Sequence, residues 1–315
     1  MDLSLVIPCF NEAENISIFY DTVERCFADK GLSYELVFVN DGSRDNTLYN
    51  LKELVKTCTT KIQVVSFSRN FGKESAIYAG LSRAKGDMVC IIDADLQQRP
   101  EVVLQMKDIL DMKPEVDCVA AFQAKRKEGK ILSSFKSCFY KIINKVSDVD
   151  FVNGASDFRL MRRSMVNAIL SMTEYHRFSK GIFSWVGFNT EHIAYEVQPR
   201  EHGETKWGFF KLFKYAIDGI VAFSTAPLKM ATFIGFLSAI LSVIYLVVVV
   251  IQKLCFGIAV PGYATIVVLL LLLGGLILFC LGIIGEYLSK IYVQVKNRPI
   301  YIEKEYFSNS SESEN

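Results

Sequence analysis

Short apolar runs recur through the N-terminal part of the chain, and each ends in polar residues. "LSLVIP" (Leu3–Pro8), "YELVFVN" ending just before Asp41, "KIQVVSFS", "DMVCIID" and "DCVAAF" are the clearest. Their brevity and even apolarity predict strands buried on both faces. Longer stretches of helical periodicity, about 12 to 18 residues each, lie between them. Strand–helix–strand alternation of this kind predicts an α/β fold with a mostly parallel sheet covered on both sides. In such sheets ligands bind beyond the carboxyl ends of the strands. The polar residues that follow each strand are therefore the candidates for chemistry.

The pattern changes near the C-terminus. Met230–Gln252 and Tyr263–Gly285 carry no charged residue. Each is about 23 residues long and reaches roughly 34 Å as a helix, enough for a hydrocarbon core of about 30 Å. Two buried core helices would need a further apolar layer to cover them, and the sequence offers none. Two membrane spans are expected. Lys206, Lys211, Lys214 and Lys229 precede the first; Lys290, Lys296 and Arg298 follow the second; only Lys253 lies between. This asymmetry predicts a multi-pass protein of the cell (inner) membrane with both termini in the cytosol and an external turn near Pro261-Gly262. "WGFFKLFKYAIDGIVAF" mixes aromatics with lysines and predicts an interfacial helix. "YLSKIYVQV" is a candidate for a matching one, and "SNSSESEN" for a disordered tail. The expected organisation is a catalytic domain over 1–206, an interfacial segment over 207–226, a transmembrane hairpin over 227–287, and an interfacial helix and tail over 288–315.

Composition agrees with this division. The chain is 51% hydrophobic, with a mean hydropathy of +0.25. A net charge of +1 gives no global field for nucleic acid. The 8 cysteines form no C-x-x-C pair and no cluster with the three histidines, which disfavours zinc. Most lie in apolar runs, as buried reduced thiols do. The segment "MDLSLVIPCF" lacks a basic region before its apolar residues and reads as a first strand, not a signal peptide.

Four strand ends bear polar groups: Pro8 to Glu12, Asn40 to Asp45, Ser68 to Glu74, and Asp93 to Gln97. Taken singly, each has an ordinary explanation as a turn or helix start. Taken together, the fold brings all four to one edge, with the acid, amide and base mixture of a phosphorylated-ligand site. Asp93 and Asp95 leave a strand on one side. Oxygen donors without Cys or His suit Mg²⁺ or Mn²⁺, with coordination places left for substrate phosphates. Gln97 is a further neutral donor. The start of the following helix at Pro100-Glu101 is an equally valid reading of the same stretch.

The ordered motifs "VIPCFNE", "VNDGSRDNT", "SRNFGKE" and "DADLQQRPE" resemble those of family 2 glycosyltransferases of the GT-A (Rossmann-like) fold. With two C-terminal spans, the chain resembles the polyprenyl-phosphate members, including dolichol-phosphate mannose synthase-like enzymes and bactoprenol glucosyltransferases. The resemblance implies that Pro8, Phe10 and Glu12 hold the base and ribose and that Asp41 contacts the base. It puts Asn70 and Lys73 near the donor, and implies that Asp93, Asp95 and Gln97 bind the metal. "NGASDFRLM" resembles the segment with an acceptor-site carboxylate, here Asp157, and "QPREHGETKWG" a loop that closes on the diphosphate through Arg200 and Lys206. Cys9-Phe10 departs from a tyrosine-containing pattern and Thr205 from a usual serine. Gln123 stands where arginine is common, leaving Arg126 as the phosphate candidate there.

The implied activity is metal-dependent, inverting transfer of a sugar, UDP-glucose being the first choice of donor, to undecaprenyl or another polyprenyl phosphate. The product would serve cell-envelope glycan modification. A homo-oligomer, as in tetrameric relatives, is a further expectation. Asp157 is either the base or a positioning group. A phosphate monoester, with a second pKa near about 6, hardly needs deprotonation at neutral pH. Two alternatives are a processive polysaccharide synthase and a non-enzymatic scaffold. Two spans and the lack of a Q-x-x-R-W motif count against the first, and the intact acidic and basic set against the second.

Overall fold

A computed structural model describes residues 1–123, 155–196, 221, 224–256 and 262–309. Its strands are β1 (Leu3–Cys9), β2 (Tyr34–Asn40), β3 (Lys61–Phe67), β4 (Met88–Ile91), β5 (Cys118–Gln123), β6 (Ala155–Arg162), β7 (Thr190–Tyr195) and β8 (Glu303–Ser308). Its helices are α1 (Asn15–Phe27), α2 (Thr47–Thr57), α3 (Lys73–Arg83), α4 (Pro100–Met112), α5 (Arg163–Ser171), α6 (Ser179–Trp185), α7 (Ala226–Phe256) and α8 (Tyr263–Val295).

All eight strands join one sheet in the order β7-β5-β6-β4-β1-β2-β3-β8. β1 pairs in parallel with β2 on one side and β4 on the other, and β2 pairs in parallel with β3. The chain thus winds outward from β1 to β3 and returns across it to β4. That reversal makes a crevice at the carboxyl ends of the central strands. The five predicted strands form. Three more form that the apolar pattern did not announce. β6 is antiparallel to β4 and β5, and β7 is parallel to β5.

The even apolarity of the strands follows from coverage on both faces. Leu3, Leu5, Ile7 and Cys9 point into one layer, while Val6, between them, points into the other. The first layer is closed by α1, whose Ile16, Phe19, Val23 and Phe27 form its buried stripe. Each fully buried side chain of this kind contributes about 1.5–3 kcal/mol. The second layer includes Ile77 and Leu81 of α3, Met165 of α5 and Phe183 of α6. Gly86 shows how close this packing is. A Cβ there would lie 2.7 Å from both the carbonyl carbon of Leu3 and the nitrogen of Ser4. Backbone cannot yield as a side chain can, so Gly86→Ala is expected to destabilise by about 1–3 kcal/mol. An unchanged thermal melting curve would contradict this packing.

α7 and α8 are long and apolar enough to cross a membrane, and neither apolar stretch is buried against the described protein. α8 does not stop where the expected span ends. It runs unbroken through Val295, so "YLSKIYVQV" is no separate interfacial helix. No glycine or proline interrupts it between Glu286 and Val295. Its end docks on the catalytic domain: the Tyr175 N–H donates to the Gln294 side chain at 2.9 Å.

The chain then returns to the sheet, where the sequence reading expected only an interfacial helix and tail over 288–315. β8 pairs antiparallel with β3. Tyr306 donates to Gln63 (2.9 Å), Arg83 pairs with Glu303 (2.9 Å), and Lys52 pairs with Glu305. Asn309 caps the end of the ladder, donating to the carbonyls of Cys58 and Thr60 and accepting from the Ile62 N–H. The expected interfacial segment over 207–226 and the turn near Pro261 lie almost wholly outside the described residues.

Candidate active site at the carboxyl edge of the sheet

The loops after β1 and β2 are stitched together. Asn11 has φ 57°, a left-handed conformation that asparagine tolerates better than most residues. Its side-chain oxygen accepts from the Arg44 N–H (2.9 Å), and its own N–H donates to the Ser43 hydroxyl (3.0 Å). The Glu12 N–H donates to the Thr47 hydroxyl (2.9 Å) and the Ala13 N–H to Asp45 (3.2 Å). Burial alone would raise the Asp45 carboxyl, but two bonds from Thr47 and those from the backbone N–H groups of Ala13 and Asp45 itself outweigh it and hold the group low. Pro8 is half-buried. Phe10 stands 39% exposed at the lip, where its ring can stack on a base. The Glu12 carboxylate accepts from the Asn15 amide at 2.6 Å.

Asp41 has a structural job at the end of β2. It is 3% exposed, and its two oxygens accept from the Phe71 N–H (2.6 Å) and the Gly72 N–H (2.9 Å). Burial raises its pKa, and the two backbone bonds oppose that without cancelling it. Asp41 therefore clamps the loop after β3 to the end of β2. Gly42 makes the clamp possible. Its φ is +63°, and a Cβ would sit 2.4 Å from the Arg69 carbonyl carbon. Asn70 is exposed on the loop so held, and Lys73 opens α3 directly after it.

Lys73 is the centre of the acidic cluster. Its ammonium lies 2.6 Å from Asp93 Oδ1 and 3.4 Å from Asp157 Oδ2. Burial would lower the lysine pKa, yet the two carboxylates win and hold it above its usual value. The second Asp93 oxygen accepts from the Gln98 amide (3.1 Å), and Gln98 Oε1 accepts from the Asp93 N–H (2.9 Å). Leu96, at φ 58°, turns the chain, and Asp95 accepts from the Gln97 N–H at 3.2 Å. α4 then starts with Pro100 in its first turn, so the metal-ligand and helix-start readings of this stretch are compatible.

Asp157 projects from β6. Its Oδ1 is buried and has no hydrogen-bond partner among the described residues. Burial raises this carboxyl, but Lys73, Lys180 and Arg159 outweigh burial and lower its pKa. Arg159, 5% exposed, lies 3.7 Å from the Phe183 ring centre. Glu74, next to Lys73, accepts from the Ser179 N–H (2.8 Å) and from its hydroxyl. Burial and the charge of Asp157 push the Glu74 carboxyl up to about 7, against these bonds. The two contacts, Glu74–Ser179 and Arg159–Phe183, fix α6 and so place Lys180 within the field of Asp157.

The structure thus brings Lys73, Asp93 and Asp157 into contact, with Asp95 and Gln97 on the same turn. Arg126, Arg200 and Lys206 lie outside the described residues. Among the described residues no three Asp, Glu, His or Cys groups converge as a closed metal cage. The orphaned Asp157 oxygen and the neighbouring Asp93 and Asp95 carboxylates fit a hard cation that takes most of its oxygens from water and phosphate. Sequence reasoning missed Gln98, Ser179, Arg159 and Lys180, and it gave Glu74 no role. Gln98 stood beside Gln97 in "DLQQRP" and differs from it only in which way the turn points it.

The glycosyl transferase family 2 profile matches residues 4–170, and a GtrB C-terminal hairpin profile matches residues 226–291. The chain is 42% identical over 303 residues to the putative glycosyltransferase CsbB of Bacillus subtilis (strain 168), covering 96% of this chain and 91% of that one. It is 41% identical over 305 residues to the SfII prophage-derived bactoprenol glucosyl transferase of Shigella flexneri, covering 96% and 98%. Among solved structures it overlaps glucosyl-3-phosphoglycerate synthase from Mycobacterium tuberculosis at 18% identity and a TM-score of 0.49, over 70% of this chain and 78% of that one.

Proposed function

The chain belongs to glycosyl transferase family 2, and on that footing we propose that it transfers glucose from UDP-glucose to a polyprenyl phosphate at the cytosolic face of a membrane. The carrying observation is the overlap with bactoprenol glucosyl transferases, which runs nearly end to end and through the apolar hairpin. A soluble acceptor would give no reason for two long uncovered apolar helices beside the catalytic sheet. The lysines and arginine flanking the hairpin support a catalytic domain on the cytosolic side.

Asp93, Asp95 and Gln97 would hold a Mg²⁺ or Mn²⁺ ion, which neutralises charge on the departing diphosphate when bound. The exposed Phe10 ring stacks on the base, while Asn70 and Lys73 meet the diphosphate, with Arg200 and Lys206 closing over it. The acceptor phosphate attacks the anomeric carbon opposite the leaving UDP, which inverts that centre.

Asp157 is a poor proton acceptor, because Lys73, Lys180 and Arg159 stabilise its ionised form. It acts by orienting the acceptor and steadying positive charge on the sugar. Asp157→Asn is accordingly expected to slow transfer by up to about a hundredfold while leaving the shape of the pH–rate profile unchanged. Loss of the acidic limb from that profile, the limb on which a base must first be deprotonated, would restore the base role. The overall activity is tested by incubating membranes containing the protein with undecaprenyl phosphate and a panel of labelled nucleotide sugars. Label from UDP-glucose should enter the organic phase. Transfer from a different donor would replace the sugar, and no transfer from any donor would sink the reading.

A further inference from the structure

We propose that Lys73 is a built-in substitute for the divalent cation: it occupies the acidic cluster while the donor is absent, and vacates it only when a diphosphate offers its ammonium another anion. The inference rests on the donor site proposed above and adds an order of binding to it.

Three observations carry it. The Lys73 ammonium sits 2.6 Å from Asp93 Oδ1, and the other Asp93 oxygen is already engaged by Gln98. A cation approaching Asp93 therefore meets the lysine at the remaining oxygen. The same ammonium reaches Asp157 at 3.4 Å, so it balances charge on two carboxylates at once, at Asp157 together with Lys180 and Arg159. Finally, only the root of Lys73 is fixed. Asp41 pins the N–H of Gly72 just before it, whereas the lysine side chain is 44% exposed and carries its ammonium on a flexible four-carbon stem.

A divalent ion and an ammonium within a few ångströms repel each other strongly. Both cannot rest on Asp93. Moving the ammonium into water alone forfeits its two partners. Moving it onto a donor diphosphate at the same sheet edge replaces them. Metal and nucleotide should therefore bind with positive coupling, and the coupling must be reciprocal. Part of any such coupling is direct coordination of the metal by the diphosphate, so the lysine's share has to be isolated by substitution.

The experiment is a Mn²⁺ titration of the full-length protein in detergent, followed by electron paramagnetic resonance, with and without UDP. Wild type should bind Mn²⁺ alone weakly. K73M and K73Q should bind Mn²⁺ alone at least about tenfold more tightly, since removal of one facing charge from a half-exposed site has roughly that worth. K73R, which keeps the charge, should resemble wild type. K73Q retains a hydrogen-bond donor for Asp93 and serves if K73M does not fold by circular dichroism. Folded neutral variants that bind Mn²⁺ alone no better than wild type would overturn the proposal while leaving the donor site intact. Failure of every variant to bind Mn²⁺ even with UDP would remove the donor site and the proposal together.

Discussion

Asp93→Asn should reduce glucosyl transfer by about 10²–10³-fold, the usual cost of deleting one preorganised charge-stabilising group. The substitution preserves shape. An asparagine side chain can still meet the Gln98 amide that holds Asp93 at 3.1 Å. It removes the negative charge on which Lys73 rests at 2.6 Å and on which a divalent ion would bind. Stability should change little, because Asp93 and Lys73 are both partly exposed and such pairs contribute about 0–1 kcal/mol. The measurement is the initial rate of glucolipid formation across a range of Mg²⁺ concentrations, with a melting curve alongside. A rate within tenfold of wild type at saturating Mg²⁺ would show that Asp93 does not hold the ion.

Ending the chain after Arg298 should be nearly as damaging, through stability and not chemistry. The lost segment makes hydrogen bonds to Gln63, Ile62, Cys58 and Thr60 and an ion pair with Arg83. Tyr301 also stacks on Phe67 at 4.8 Å, and the Ile302 carbonyl accepts from the Ser68 N–H at 3.0 Å. At about 1 kcal/mol net per hydrogen bond, the side-chain contacts alone amount to several kcal/mol, a large share of a typical 5–15. The truncated protein should melt well below wild type and should aggregate through the uncovered edge of β3. Donor affinity should fall too, because Ser68 begins the loop that carries Asn70 and Lys73. Equal melting temperatures for the two chains would show that β8 is a bystander.

Much of this architecture was legible from periodicity. β1 to β5 are continuous apolar runs because both faces of the sheet are covered, and that signal does not depend on distant partners. β6, "ASDFRLMR", was not legible in the same way. Its Arg159 and Arg162 break the apolar run, yet one stacks on Phe183 and the other donates to the carbonyls of Val116 and Leu110. β8 reads as a charged tail because Glu303 and Glu305 find Arg83 and Lys52 only after a return of more than 200 residues. At the site, the strand-end rule found Lys73 and Asp93, since sheet topology alone brings them together. It did not show how Asp41 is held, because its partners are backbone N–H groups invisible to residue type. It reached Glu74 without giving it a role and did not reach Ser179, because their pairing depends on where α6 lands.

The return of β8 to the sheet also fixes the order in which the protein can be made. A fold that begins at Leu3 is not closed until Ser308 has left the ribosome, and both long apolar helices lie between them. Throughout synthesis of the hairpin, the nascent sheet carries an open edge at β3 and an unbraced donor loop. Both apolar helices must therefore emerge before the catalytic domain can be completed, and its last strand is placed only after they have left the ribosome.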